Sequence, residues 1–175
     1  MAAGGGRQRG RDRALQVDGF RGTLPLPLSS ASRRSDAVNE APGRKLLLVA
    51  ACALVDADGR VLLSQRPEGK SMAGLWEFPG GKVEEGETPE ETVVRELHEE
   101  LGIETKVACL APLTFASHSY ETFHLLMPLY VCRRFWGIPQ PLEGQTLKWV
   151  RPAKMRDYPM PPADEPLIPF LIDLL

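Results

Sequence analysis

Apolar residues fall into short runs separated by turn-forming clusters. Residues 46–55, LLLVAACALV, form an uninterrupted apolar run, the pattern of a strand covered on both faces. Asp56-Ala57-Asp58-Gly59 is a turn signal, and VLLSQR at 61–66 returns as a partner strand. The loop PEGKSMAGL leads to WEFPGG at 76–81, a short strand entering a glycine turn. After Thr88 the period changes from strand to helix, and Val93, Val94, Leu97 and Leu101 make one apolar stripe. Thr88 is placed as the N-cap, Pro89 sits at the first helical position, Glu91 completes a capping box, and Gly102 supplies the stop. Strands follow near 105–110, 113–117 and 123–135, then a turn at Gly137 and a strand at 147–150. Residues 164–175 read as a helix that Pro169 delays or kinks. Strands around two helices predict an α/β sandwich, a sheet covered by helices on both sides.

Residues 1–43 have no such periodicity. Gly, Arg, Ser and Pro dominate them, which predicts a disordered tail ahead of a folded domain at 44–175. Low acidity with many Arg and Ser is also the composition of a mitochondrial transit peptide. The compartment therefore reads as cytoplasmic, or mitochondrial if the tail is such a leader.

The 175 residues, 43% hydrophobic and 25% charged, suit one domain with a real core. No apolar run approaches the ~20 residues of a membrane span, so no membrane partner is expected. The net charge of -2 conceals an asymmetry: residues 1–45 hold nine Lys/Arg against four Asp/Glu, and the remainder twelve against nineteen. An acidic domain is poorly suited to binding duplex nucleic acid by phosphate neutralisation. Cys52, Cys109 and Cys132 are odd in number, widely spaced and set in apolar surroundings, which predicts buried free thiols. Monomer and dimer are both compatible with the sequence.

Candidate chemistry is concentrated in RELHEE, residues 95–100. At 100° per residue, Glu96, Glu99 and Glu100 fall within about 100° of one another on the helix, beside its apolar stripe. Like charges at these spacings repel by roughly 0.2–0.5 kcal/mol per pair. A solvated helix face would scatter the signs, and here only Arg95 offsets the three. Hard divalent cations take several oxygen ligands and would turn that repulsion into coordination. The alternative is an acidic helix face that is merely solvated.

Residues 81–103 read GKVEEGETPEETVVRELHEELGI. This resembles the signature of Nudix hydrolases, G-x5-E-x7-REU-x-EE-x-GU with U apolar, and each of its nine defined positions matches. The resemblance implies an α/β/α sandwich with a mixed β-sheet between helices. It implies an enzyme that cleaves a diphosphate linked to another moiety, using Mg²⁺ or Mn²⁺. Carried over by residue, Glu96, Glu99 and Glu100 would be metal ligands, with the Gly80 carbonyl as a further one. Arg95 and Glu87 would form a salt bridge orienting the loop. Gly81 and Gly102 would be structural. The general base would be a box glutamate or Glu143, in the loop LEGQ.

Beyond the box, LWEFPGGKVE, the EGQ at 143–145 followed by Trp149, and YPMPPADEPLI at 158–168 resemble the MutT branch of that family. The branch implies hydrolysis of nucleoside triphosphates to monophosphate and pyrophosphate, with 8-oxo-dGTP the foremost substrate and nucleotide-pool sanitation the role. Arg66 would face phosphate, its alternative being a surface Arg at a strand end. Glu143 would be an additional metal-site glutamate or base, its alternative an ordinary turn acid. Phe78 and Leu75 would wall the base pocket or simply pack in the core. At Asp164 the MutT pattern has asparagine, so three readings stand: a carboxyl held neutral in an apolar pocket, a reader of a cytosine or guanine amino group, or the N-cap of the last helix. The second makes CTP or 5-methyl-dCTP the runner-up substrate. A non-catalytic nucleotide sensor would usually lack the box glutamates, and ADP-ribose or diadenosine polyphosphate enzymes would carry elements not evident here. His98 is expected in solvent, and His118 and His124 to flank a hairpin turn.

Overall fold

The computed structural model describes residues 44–175. The readings of residues 1–43, disordered tail and transit peptide alike, lie outside the described residues. Strand β1 (Lys45–Leu54) runs parallel to β6 (Phe123–Cys132) at the centre of a mixed four-stranded sheet. β4 (Gly80–Lys82) and β5 (Leu110–Ser119) flank them antiparallel, in the order β4-β1-β6-β5. A three-stranded antiparallel sheet, β3-β2-β7, comprises β2 (Val61–Gln65), β3 (Trp76–Glu77) and β7 (Thr146–Val150). The Val55–Val61 bridge links the end of β1 to the start of β2.

The continuous apolar run in β1 is explained by two cores, one on each face of the sheet layer. Ala50, Cys52 and Leu54 pack with Val93, Leu97 and Leu101 of helix α1 (Pro89–Leu101). Ala51 and Ala53 pack on the opposite side with Leu167, Ile168 and Leu171 at helix α2 (Ile168–Leu174). Leu62 belongs to the first core and Leu63 to the second, so the smaller sheet joins the same layer. Each fully buried Val or Leu of α1 contributes roughly 1.5–3 kcal/mol by leaving water. The ends of α1 follow from its sequence. The Glu91 N–H donates to Thr88 Oγ1 at 3.3 Å, and Glu91 Oε2 accepts from the Thr88 N–H at 2.8 Å. Gly102, at φ 65°, closes the helix by donating to the His98 and Leu97 carbonyls.

Several elements differ from the sequence pattern. WEFPGG is two strands in two different sheets: Pro79 has no N–H to donate, and Gly80 adopts φ 152°, so the chain crosses from one sheet to the other. The strand expected at 105–110 is replaced by a 3₁₀ turn, Val107–Cys109. There Thr105 Oγ1 donates to the Arg134 carbonyl, and Glu104 pairs with Trp136 outside either sheet. The strand expected at 113–117 is part of β5, which is longer and has a register shift between Pro112 and Thr114. The strand from Phe123 stops at Cys132, short of Phe135. The last segment begins as a 3₁₀ turn, Glu165–Leu167, and becomes α-helical only from Ile168, with Pro169 in the first turn, where a missing N–H costs nothing. Among the described residues no helix is long and apolar enough to cross a membrane. All three cysteines are free.

Candidate active site

A cleft of about 340 Å³ opens where the β3–β4 crossing meets the C-terminal half of α1. Its lining combines two chemistries. Arg66, Lys70, Glu77, Glu100 and Glu143 supply charge, and Phe78, Tyr120, Phe123 and Leu125 supply apolar and aromatic surface beside the buried Asp164.

α1 aims its carboxylates at the glycine turn. Glu96 lies directly over Gly81, so that a Cβ at that position would collide with the carboxylate. Glu100 lines the cleft and accepts from the Gly80 N–H at 3.3 Å. Burial pushes the Glu100 carboxyl up to about 8, and the charges of Glu96, Glu143 and Glu77 add to the effect. Burial also raises Glu96, against the opposing pull of Arg95. Glu99 is 54% exposed at the helix edge.

Arg95 organises this group. Its Nε donates to Glu87 Oε1 at 2.7 Å and its Nη2 to Glu87 Oε2 at 3.0 Å, a two-point fork. Nη1 reaches Glu96 at 2.8 Å and Glu99 at 3.1 Å. The Arg95 bonds, assisted by Thr92 and the Glu84 N–H, hold Glu87 down to about 2. The loop before α1 is thereby tied to the helix face that carries the carboxylates.

The donor set suits a hard divalent cation. The charges of Glu96 and Glu143 both raise the proton affinity of Glu100, and that of Glu143 raises Glu96, so the three lie close together and every available ligand atom is oxygen. As the side chains stand, no three Cys, His, Asp or Glu among the described residues converge on a single ion position. Each outer carboxylate faces a protein cation instead: Arg95 for Glu96 and Glu99, Lys70 for Glu143.

The cleft brings some of the sequence candidates together and separates others. Glu100, Glu143, Arg66, Phe78, Gly80 and Asp164 all line it. Glu96 stands behind Gly81, while Glu87, Arg95 and Glu99 form the support beyond. Phe78 is at once core and cleft wall, being 3% exposed, and Leu75 is not among the lining residues. Arg66 Nη1 donates to Glu77 Oε2 at 2.6 Å, and its Nε is buried without a partner. Asp164 is 5% exposed and does not cap the last helix. Its Oδ1 accepts from the Phe78 N–H at 3.4 Å instead, linking the segment before α2 to the β3–β4 crossing. Burial pushes the Asp164 carboxyl up to about 7, with the Phe78 N–H opposing and Glu77 adding. His98 is exposed and lies 3.0 Å from Glu104; His124 bonds Ser117 and Ser119 across the hairpin.

Among the cleft residues that sequence reasoning missed are Glu77, Lys70, Tyr120 and Phe123. A carboxylate between Trp76 and Phe78 was a legible signal for the first. Tyr120 stacks on Phe123 at 4.8 Å across the hairpin turn that separates them in sequence, and only the fold turns that pair into the cleft.

The description NUDIX domain matches residues 50–169. The CTP pyrophosphohydrolase of Escherichia coli is 43% identical over 118 residues, spanning 66% of this chain and 84% of that protein. The 8-oxo-dGTP diphosphatase of the same organism is 36% identical, spanning 71% and 95%. A solved MutT chain, from a comparison of the Aliivibrio salmonicida and Vibrio cholerae proteins, matches with a TM-score of 0.64 and 32% identity, over 75% of this chain and all of that one.

Proposed function

The chain belongs to the MutT branch of the Nudix hydrolases, and on that premise we propose that it hydrolyses nucleoside triphosphates to the monophosphate and pyrophosphate, with 8-oxo-dGTP as lead substrate. One observation carries the reading: a single cleft is lined both by carboxylates and cations and by aromatic side chains with a buried carboxyl. A nucleotide presents the matching pair of chemistries, charged phosphates and a flat base.

In this reading Glu96, Glu99, Glu100, Glu143 and the Gly80 carbonyl would hold Mg²⁺, or Mn²⁺, which would supply charge neutralisation at the phosphoryl oxygens and easier ionisation of water. Arg66 lines the cleft and presents a planar cation to the phosphates. Glu87 and Arg95 keep the carboxylate face in register with the glycine turn. Glu143 or a box glutamate accepts the proton of the attacking water.

Asp164 reads the base. Its Oδ1 is engaged by Phe78, which leaves Oδ2 for the ligand. With its carboxyl raised to about 7, both forms of Asp164 are available near neutral pH; the ionised form accepts only, and it is this form that rewards a base presenting an N–H. 8-Oxoguanine carries N7–H where guanine carries a bare N7, so the same carboxylate distinguishes the two. Cytosine also presents a donor, its N4 amino group. The 43% identity to a CTP pyrophosphohydrolase favours that second reading, with CTP or 5-methyl-dCTP as substrate.

The test is kcat/KM for 8-oxo-dGTP, dGTP, CTP and 5-methyl-dCTP with Mg²⁺, reading pyrophosphate. Preference for 8-oxo-dGTP over dGTP supports the lead reading. Equal values for those two overturn it, and a preference for the cytosine nucleotides establishes the second. Absence of pyrophosphate from all four removes both.

A further inference from the structure

Two loops from distant parts of the chain meet across the cleft. One, at 67–75, follows β2; the other, at 137–145, precedes β7. Lys70 Nζ of the first donates to Glu143 Oε2 of the second at 2.6 Å, across 73 positions of sequence. Both side chains line the cleft beside Arg66 and Glu100.

The backbones beneath them are anchored. The Arg66 N–H donates to the Leu75 carbonyl and Gln65 Nε2 to the Gly74 carbonyl, closing the first loop at its base. The second is fastened to the end of α1: the Leu142 N–H and Gln145 Nε2 both donate to the Glu100 carbonyl, and Gln145 Oε1 accepts from the Glu143 N–H. The two side chains themselves are 51% and 43% exposed. A half-exposed ion pair contributes only about 0–1 kcal/mol. Exchanging its partners is inexpensive, and a nucleotide with its cation offers stronger ones to each. Lys70 carries a compact charge on a flexible stem, suited to a phosphate chain with many oxygens, and it borders the same cleft as Arg66.

We propose that Lys70 is a polyphosphate-contacting residue held in waiting by Glu143. When substrate enters, Glu143 exchanges the ammonium for a divalent cation, and Lys70 turns onto the phosphate chain. The inference rests on the pyrophosphohydrolase reading for its ligand, and on the ion pair alone for its exchange.

The experiment uses Lys70→Ala and Lys70→Met, with Lys70→Arg as the charge-conserving variant and thermal unfolding as the check on folding. Mn²⁺ binding to the nucleotide-free protein is titrated by electron paramagnetic resonance, and KM and kcat are measured on the preferred triphosphate. Freed from its ammonium, Glu143 should bind Mn²⁺ about two- to fivefold more tightly in both neutral variants, as loss of a pair contributing up to about 1 kcal/mol allows. KM should rise about tenfold, the loss of one charge-assisted bond, with a smaller change in kcat. Lys70→Arg should restore both. In a Glu143→Gln background, Lys70→Ala should no longer alter Mn²⁺ affinity.

Unchanged Mn²⁺ affinity in the neutral variants overturns the exchange, whatever the substrate proves to be. Tightened Mn²⁺ binding with unchanged KM overturns the phosphate contact. A wild-type protein that releases no pyrophosphate from any nucleoside triphosphate overturns the functional reading instead, and the Mn²⁺ titration then decides the exchange by itself.

Discussion

The carboxylate of Glu96 occupies the space that a Cβ on Gly81 would need. Backbone and side chain are in direct register there, one on β4 and the other on α1. A side chain at 81 would have to displace that carboxylate; the backbone itself makes no demand there, unlike Gly80 at φ 152°.

Gly81→Ala should therefore push Glu96 out of place while leaving both cores intact. We expect kcat on the preferred triphosphate to fall about 100-fold, the scale for misplacing a reacting group by an ångström, with little change in Tm. Glu96→Gln added to Gly81→Ala should cost almost nothing more. Additive losses in that double variant would show that the two positions act separately.

The Arg95–Glu87 fork should not tolerate a lysine. Lys presents a point charge and cannot span Glu87 by two parallel bonds while also reaching Glu96 and Glu99. Arg95→Lys and Glu87→Gln should each lower kcat/KM by about 10- to 100-fold. Wild-type kinetics in Arg95→Lys would mean that charge alone, without the fork, orients the loop.

Asp164 makes stability depend on pH with a definite sign. Its carboxyl is raised from 3.8 to about 7 in the folded protein. The folded state thus binds the proton more tightly than the unfolded chain, and stability falls as pH rises from about 4 through about 7 before levelling. The full difference is on the order of 4 kcal/mol, since each unit is 1.36 kcal/mol. Asp164→Asn stays neutral and can still accept from the Phe78 N–H. Denaturant unfolding at pH 4 and pH 8 should find it similar to wild type at the lower pH and more stable at the higher. Parallel profiles for the two proteins would refute the assignment.

Leu97 is fully buried between α1 and β1. Leu97→Ala should destabilise by about 2–5 kcal/mol, transfer and cavity combined. The same variant should lower Tm without changing KM in the folded fraction, because Leu97 does not line the cleft.

What could be read before folding follows from where each signal is stored. The capping box at Thr88, the stripe of Val93, Leu97 and Leu101, the Gly102 stop and the carboxylate edge of α1 are local, because helix geometry relates residues three and four apart. The apolar run in β1 was equally legible, since a strand covered on both faces leaves no polar alternation. The two-sheet crossing at Pro79-Gly80, the 3₁₀ turn at Val107–Cys109 and the longer β5 were not, because strand pairing is decided by partners far along the chain. The site divides in the same way. Glu96, Glu99, Glu100 and their link to Glu87 through Arg95 belong to one helix and the loop that enters it. The cleft itself does not: Lys70 against Glu143, Tyr120 stacked on Phe123, and Asp164 bonded to the Phe78 N–H join positions that only tertiary packing brings within reach. Asp164 is the sharpest instance. Its sequence position suggests a helix cap, and its burial beside Phe78, a property of the assembled core, makes it a raised carboxyl in a cleft instead.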